Sequence, residues 1–592
     1  MRRGEPLDVR MRRRGGRALP VAVVVFAAVL VYLLTLPPLP SSVSFLPDLA
    51  SSPPVVRGAF HVHTDRSDGS GSVDEIAAAA RAAGLQFIIF TDHGDGTRSP
   101  DPPVYRSGVL CLDAVEISTR GGHYIAVGLG APAPYPLGGD AAGVVEDVRR
   151  LGGFGVVAHP SSPRIALSWT EPGLDVDGFE WLNADSQWRD DSWAALLGAA
   201  AAYVVRPPGA IASLFDRPDE TLAWWSVSPP RPVVGLAGSD AHARLALGRD
   251  GEGYDRAMEI AFPGYEEVFR TFALRVELEH VWSGNSRDDA RMLLEGLQAG
   301  RTYTAIDALA TPAGFRFVGE VDGQTVAMGS RVSSSKPVEL SAIAAGPPGA
   351  TMVLLANGQV VSEAPGLELR HTVRGEAGAY RVEVRVPSSG GGDRSLPWIV
   401  GNPVYVVDPE TTVVPPPPLP PAAVSPLSTT DLASQLRWST ESDATSEVEI
   451  DALGVESDGA DGDSGFELRY RLGDDMDGGT YVAAVYPVEE GALARFDRVA
   501  FRAAADRPHR VSVQMRAGGL VGQPRWRTSA YIGPSVTEVQ IPFGRVVSVE
   551  PSGSPLSFEP SQIDAILLVI DLTNSSPEAV GELTVRDVRL ER

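Results

Sequence analysis

The sequence predicts an α/β barrel, followed by two all-β sandwich domains and preceded by an N-terminal transmembrane helix. Three observations lead there. Through residues 57–311, short apolar runs alternate with Ala-rich helical patterns. Past residue 312 the pattern changes to short strands separated by Gly/Ser turns. Near the start, residues 18–36 carry no charge. A chain of 592 residues also has room for about three domains at roughly 100–200 residues each.

Taking the elements in order, residues 1–17 hold seven arginines and read as a basic cytoplasmic tail. The run ALPVAVVVFAAVLVYLLTL at 18–36 would cover about 28 Å as a helix, close to one hydrocarbon core. A cleaved signal peptide is the rival reading. Its apolar region would span about 7–15 residues and end in an A-x-A-like site, whereas PPLPSSVS follows here. Arginines before the span and none again until Arg57 predict a single-pass membrane protein, N-terminus cytoplasmic and the remainder extracytoplasmic.

Residues 37–56 form a Pro/Ser linker. Within 57–311, GAFHVH and QFIIFTDH flank a helix at 72–83, opened by a Ser72/Glu75 capping box and stopped by Gly84. Further strands are VLCLDAVEI, HYIAVGL, FGVVAHP, DGFEWL and VVGLAGSD, with a helix at 141–151. Near-continuous apolar strands alternating with helices imply a parallel sheet covered by helices, and a barrel if it closes. Residues 312–408 read as a small β-sandwich, 409–430 as a Pro-rich spacer containing PPPPLPP, and 431–592 as a second β-sandwich.

A formal charge of −24 argues against a long nucleic-acid partner, because phosphate backbones are gripped by surplus cations. The single cysteine, Cys111, excludes a disulfide framework and a cysteine-built zinc finger. A metal site would therefore be built from His, Asp and Glu. Six of the nine histidines lie between His61 and His242, and they sit at the ends of apolar runs: His61 and His63 in HVHT, His93 after IIFTD, His123 opening HYIAVGL, His159 after FGVVA. Asp240 and His242 end LAGSDAH, and Glu116 sits late in LDAVEI. In an extended strand, i and i+2 point to one side, so His61 with His63, and Asp240 with His242, each form a two-pronged clamp. Strand ends of a barrel converge on one mouth. Imidazoles and carboxylates suit zinc, manganese or iron.

The series HVHTDRSDG, TDHG, VEIS, GGHY, AHPS and GSDAH resembles, in order, the PHP (polymerase and histidinol phosphatase) metallohydrolases. The resemblance covers 57–311 and implies a distorted seven-stranded (β/α)7 barrel with up to three divalent metals. It places one metal on His61, His63, Glu116 and Asp240. Glu116 would bridge to a second on His123 and His159, and Asp68, His93 and His242 would hold a third. The chemistry implied is attack on a phosphoester by a metal-bridged hydroxide. His242 and Asp65 are the two candidates for protonating the leaving group. Arg66, Arg98, Arg164 and Arg244 are candidate phosphate clamps. Small phosphorylated or nucleotide-type molecules are the expected substrates.

Two alternatives stand beside this. LLEGLQAGRTYTA and LPWIVGNPVYVV resemble the carbaryl-hydrolase-type branch, which implies carboxyl or carbamoyl ester hydrolysis at the same site. The strand pattern of 431–592 resembles galactose-binding-like jelly rolls, which implies a carbohydrate partner, or a non-catalytic surface glycan-binding protein. Trp526 and Tyr531 are the candidate sugar-stacking aromatics, with burial in the sandwich as the competing role. Asp458, Asp461 and Asp463 lie in an acidic stretch without EF-hand spacing, which reads as a solvated loop. His280, His371 and His509 read as structural.

Overall fold

The computed structural model describes residues 18–42, 53–227, 232–247, 258–260, 262–311, 314–366, 368–387, 396–409, 430–431, 438–453, 465–475, 479–489, 491–518, 524–549 and 557–592. The basic tail, nearly all of the Pro-rich spacer, and Asp458, Asp461 and Asp463 lie outside them.

Seven strands close into a barrel: β1 (Val55–Val62), β2 (Phe87–Phe90), β3 (Val109–Thr119), β4 (Gly122–Val127), β5 (Phe154–Val157), β6 (Gly178–Asn183) and β7 (Val234–Ala241). Pairing of Phe60 with Gly238 and Val62 with Ala241 joins β7 back to β1. All neighbours are parallel except around β4, which runs antiparallel to β3 and β5. Strand alternation divides the apolar residues into two sets. Phe60, Ile89, Leu112, Ile125, Val156 and Leu236 pack together within the ring, with Leu293 and Leu297 of helix Ser286–Gln298 against them. Residues of the opposite parity, such as Ile88 and Val157, meet Ile76 and Ala80 of α1 (Val73–Ala82) and Val144 and Val148 of α2 (Ala141–Arg150). The Ser72/Glu75 capping box opens α1.

The α/β class expected from the sequence does not hold. Strand takes 43% of the chain and helix 19%. Two features account for this. β3 and β4 are joined by a tight turn where alternation would have put a helix, and past Gln298 the described chain forms no α-helix.

The transmembrane helix is also corrected. Among the described residues, no helix is long and apolar enough to cross a membrane. The apolar run forms a helix over Ala18–Thr35. Leu36, which precedes Pro37 and is thereby steered out of helical geometry, is buried with Ala202 and Ala210. The Tyr32 hydroxyl donates to the Ala201 carbonyl at 2.7 Å.

Backbone pairing runs from the barrel into the small sandwich: Ala273–Glu277 pairs with β1 and with Thr302–Ala305, which pairs with Ile399–Gly401. Residues from 430 onward build two six-stranded sheets around Phe466, Leu468, Phe501, Val513 and Leu568. This sandwich docks on α2. The Arg510 guanidinium, fully buried, donates to Asp147 through Nε (2.8 Å) and Nη2 (2.6 Å).

Candidate metal centre

The local backbone at the barrel mouth departs from regular strand. His61, His159 and Asp240 are non-glycine residues with φ of 64°, 31° and 44°, and the β1 pairings shift register between Phe60 and Val62. Such a bulge re-aims a side chain, and left-handed backbone at non-glycine positions gathers at functional sites. His61 and His63 do converge, Nε2 to Nε2 at 3.1 Å. They do so through this irregular turn, so the extended i, i+2 clamp inferred from the sequence is replaced by a bulged one.

Glu116, 1% exposed, stands at the centre. Its Oε2 lies 3.1 Å from Nε2 of both His61 and His63, and 3.4 Å from His93 Nδ1. Its Oε1 lies 2.8 Å from His123 Nδ1 and 3.0 Å from His159 Nε2. Asp240 Oδ1 faces His61 and His63 at 3.2 and 3.4 Å. Asp68 meets His63 Nδ1 (3.3 Å), His242 Nε2 (3.2 Å) and His93 Nε2 (3.7 Å). The structure thus brings together all nine ligand candidates named from the sequence. Their donor atoms form four overlapping groups, each spanning no more than 4.8 Å. This donor set fits divalent cations. It is imidazole nitrogen plus carboxylate oxygen at close range, with one oxygen of Glu116 turned to each side.

Burial by itself would raise the Glu116 and Asp240 carboxyls. The facing histidines outweigh it and hold both well below the ordinary range. Burial likewise disfavours charge on His63, yet hydrogen bonds to Asp240 and Glu116 carry it up to about 9. His159 and His242 shift upward for the same kind of reason, against burial, through Glu116 and Asp68 respectively.

Three supporting residues were not named from the sequence. Glu180 takes His61 Nδ1 at 2.7 Å, the His159 backbone N–H at 2.7 Å and Asn183 Nδ2 at 2.8 Å, so it orients two ligand residues at once. Its signal was a lone carboxylate inside the apolar run GFEWL. Asp92 accepts from Thr64 N–H, Thr64 Oγ1 and Ser67 Oγ at 2.7, 2.8 and 2.7 Å, pinning the turn that carries Asp68. The Tyr265 hydroxyl lies 2.9 Å from the carbonyls of both His63 and His242 and accepts from Ser70 N–H. Nothing in the local sequence marked it. Gly69 is required beneath it, since a Cβ there would sit 2.4 Å from the His63 carbonyl oxygen.

The remaining candidates are placed less centrally. Asp65 is exposed, and its carboxylate makes no hydrogen bond or ion pair among the described residues. Arg66 and Arg98 line a cleft of about 380 Å³ beside His93. Both are already matched by carboxylates, Arg66 by Asp101 (2.6 Å) and Arg98 by Asp113 (2.7 Å). Arg244 reaches the Asp68 carbonyl at 3.4 Å, and Arg164 is exposed outside the cluster. Of the sugar-stacking candidates, Trp526 is buried against Phe558, and Tyr531 lies under the Arg150 guanidinium at 3.5 Å.

No family model and no curated protein matches the chain. Among solved structures, it is similar to a two-domain protein from Bacteroides vulgatus containing a predicted PHP-like metal-dependent phosphoesterase. The identity is 14%, covering 60% of this chain and 96% of that one, with a TM-score of 0.27. It is also similar to a family 11 carbohydrate-binding module from Clostridium thermocellum (17% identity, 26% of this chain and 89% of that one, TM-score 0.21). An exo-β-agarase matches at 10% identity over 27% of this chain and 24% of its own, TM-score 0.20. The functional reading therefore rests on the side chains of this chain.

Proposed function

We propose that the chain is a metal-dependent hydrolase acting on phosphoester bonds of small phosphorylated or nucleotide-type substrates. Two or three ions of the zinc, manganese or iron class would be held by His61, His63, Glu116 and Asp240, by His123 and His159 with Glu116, and by Asp68, His93 and His242. The observation that carries this reading is the convergence of nine donors, scattered from residue 61 to 242, on one barrel mouth. Bound there, such ions supply Lewis acidity, lowering the pKa of water toward about 7 and neutralising phosphate oxygens.

The chain's own residues set the approach and the orientation. His61 and His63 are fully buried, whereas Asp68, His93 and His242 keep 36, 34 and 21% of their side-chain surface. Substrate therefore enters over those three. The cleft beside His93 receives the leaving group, with Arg66 and Arg98 on its rim. Glu180 and Asp92 keep the ligand shell fixed while substrate exchanges. For protonating the leaving group, the two candidates are His242, on the open side of the cluster, and Asp65, which is exposed and whose carboxylate makes no hydrogen bond or ion pair among the described residues.

Ester or carbamate hydrolysis is the second reading. It is favoured by the apolar floor of the same cleft, formed by Ala114, Val115, Ala126 and Leu129. Parallel assays on p-nitrophenyl phosphate, bis-p-nitrophenyl phosphate and p-nitrophenyl acetate, before and after chelation, decide between the two. Metal-dependent phosphoester turnover supports the first. Turnover of the acetate alone replaces it with the second.

A further inference from the structure

We propose that Tyr265 is a positioning residue for the outer, solvent-facing part of the metal centre, setting how tightly Asp68, His93 and His242 hold a cation, a role that rests on the metal-dependent reading above. His61, Glu116, His159 and Asp240 are buried, whereas Asp68, His93 and His242 keep side-chain surface open to solvent. His63 faces both parts, Asp240 through Nε2 and Asp68 through Nδ1. The buried part has its own support. Asn183 Nδ2 donates to Glu180 at 2.8 Å and to Asp240 Oδ2 at 3.2 Å, adding to the bonds that Glu180 makes with His61 and His159. Among the described residues, neither Glu180 nor Asn183 bonds to Asp68, His93 or His242.

Asp68 and His242 ride on separate loops, one following β1 and the other following β7. Ser70 stitches the two together: its N–H donates to the His242 carbonyl at 2.9 Å, and its Oγ donates to the Ala243 carbonyl at 2.9 Å. Tyr265, at the start of helix Tyr265–Thr271, brings its hydroxyl into this seam. The oxygen lies 2.9 Å from the carbonyls of both His63 and His242, and 3.1 and 3.3 Å from the N–H groups of Ser70 and Gly71. A phenol offers one donor proton and acceptor lone pairs, so it donates to one carbonyl while accepting from the amides. Backbone groups from both loops therefore converge on one atom. The fit depends on two glycines: a Cβ on Gly69 would stand 2.8 Å from this oxygen, and one on Gly71 would stand 2.9 Å from the ring. Beneath the hydroxyl, the ring joins the core with Ile76, Val268 and Phe269. Phenylalanine at this position keeps that packing but leaves the buried Gly71 N–H without this acceptor, and a buried amide without a partner drives the backbone to rearrange. The rearrangement falls on the loops that aim Asp68 and His242, while Glu180 and Asn183 still hold the buried ligands.

The test is calorimetric titration of the chelated full chain with Mn2+, comparing the unsubstituted protein with three variants. Asp68→Asn removes an outer ligand, so the binding step it abolishes is the outer one. Tyr265→Phe should weaken that same step at least tenfold, the scale on which orienting partners act, and leave the tighter step within twofold. Phe269→Leu, on the same helix, is the packing control: it should lower the melting temperature and leave both steps unchanged. Equal weakening of both steps by Tyr265→Phe would overturn the inference, since that marks a general structural role. So would an outer step unchanged within twofold, an outer step weakened as much by Phe269→Leu, or a Tyr265→Phe chain that does not fold. Uptake in steps that Asp68→Asn leaves unaltered removes the outer site alone and this role with it. An unsubstituted chain that takes up no Mn2+ instead refutes the metal centre itself.

Discussion

Replacing Glu180 by glutamine probes how the ligand shell is held without removing any ligand. The carboxylate accepts three hydrogen bonds, from His61 Nδ1, His159 N–H and Asn183 Nδ2, all within 2.8 Å. Glutamine matches the shape but offers one acceptor oxygen and an NH2 group. At least one of the three donors then faces another donor, and the negative charge behind His61 disappears. Hydrogen bonds to a charged group contribute about 1.5–3 kcal/mol, and loss of an orienting partner behind a metal-bound imidazole lowers affinity about 10–100-fold. The expected cost at the His61 position is therefore about 1.4–2.7 kcal/mol of metal affinity. Competition against a chromophoric chelator measures it directly, with zinc or manganese, in chains of matched circular dichroism. An affinity unchanged within twofold would refute the view that Glu180 orients the cluster.

Other perturbations give equally definite expectations. Gly69→Ala places a methyl 2.4 Å from the His63 carbonyl and 2.8 Å from Tyr265 Oη, so it should lower metal content along with thermal stability. Arg510→Ala leaves Asp147 with Arg150 as its remaining ion partner, so it should destabilise the docked sandwich by about 1.5–3 kcal/mol, seen in calorimetry as an earlier or separate transition. Glu277 is buried, and desolvation raises its carboxyl to about 7 against the opposing pull of Arg316 and Arg301. With the folded pKa above the ordinary 4.5, the native state binds the extra proton, so stability falls as pH rises from about 4.5 to 7 and stays lower above that. Glu277→Gln should therefore raise the melting temperature at pH 8, by the equivalent of at most about 3 kcal/mol, and leave it unchanged at pH 4.5. An equal effect at both pH values would contradict this.

Apart from Asp68, which stood only on the motif resemblance, the candidate ligands were legible because they open, interrupt or end apolar runs, where a buried imidazole or carboxylate needs a reason. What the sequence could not show was the backbone that aims them. The positive φ at His61 and the register shift beside it come from closing β1 against β7, a tertiary constraint with no local mark. Glu180 was visible only as a charge among apolar neighbours, and its role follows from three donors contributed by distant segments. Arg66 and Arg98 looked available because their partners, Asp101 and Asp113, become neighbours only through loop conformation. The membrane reading relied on hydropathy, flanking arginines and the missing cleavage site, none of which registers that Pro37 turns Leu36 out of the helix and under Ala202. Alternation of strand and helix suggested an α/β chain, but the β3–β4 hairpin and the described residues past Gln298, which form no α-helix, tip the balance to β.

The most direct measurement is metal stoichiometry by elemental analysis, on the purified chain and on a His61→Ala/His63→Ala double variant. The clustered donors predict two or three ions per native chain, with most of that content absent from the variant although its fold is retained. A natively folded, unsubstituted chain that binds no more metal than the variant, after dialysis against zinc, manganese or iron, would contradict the account.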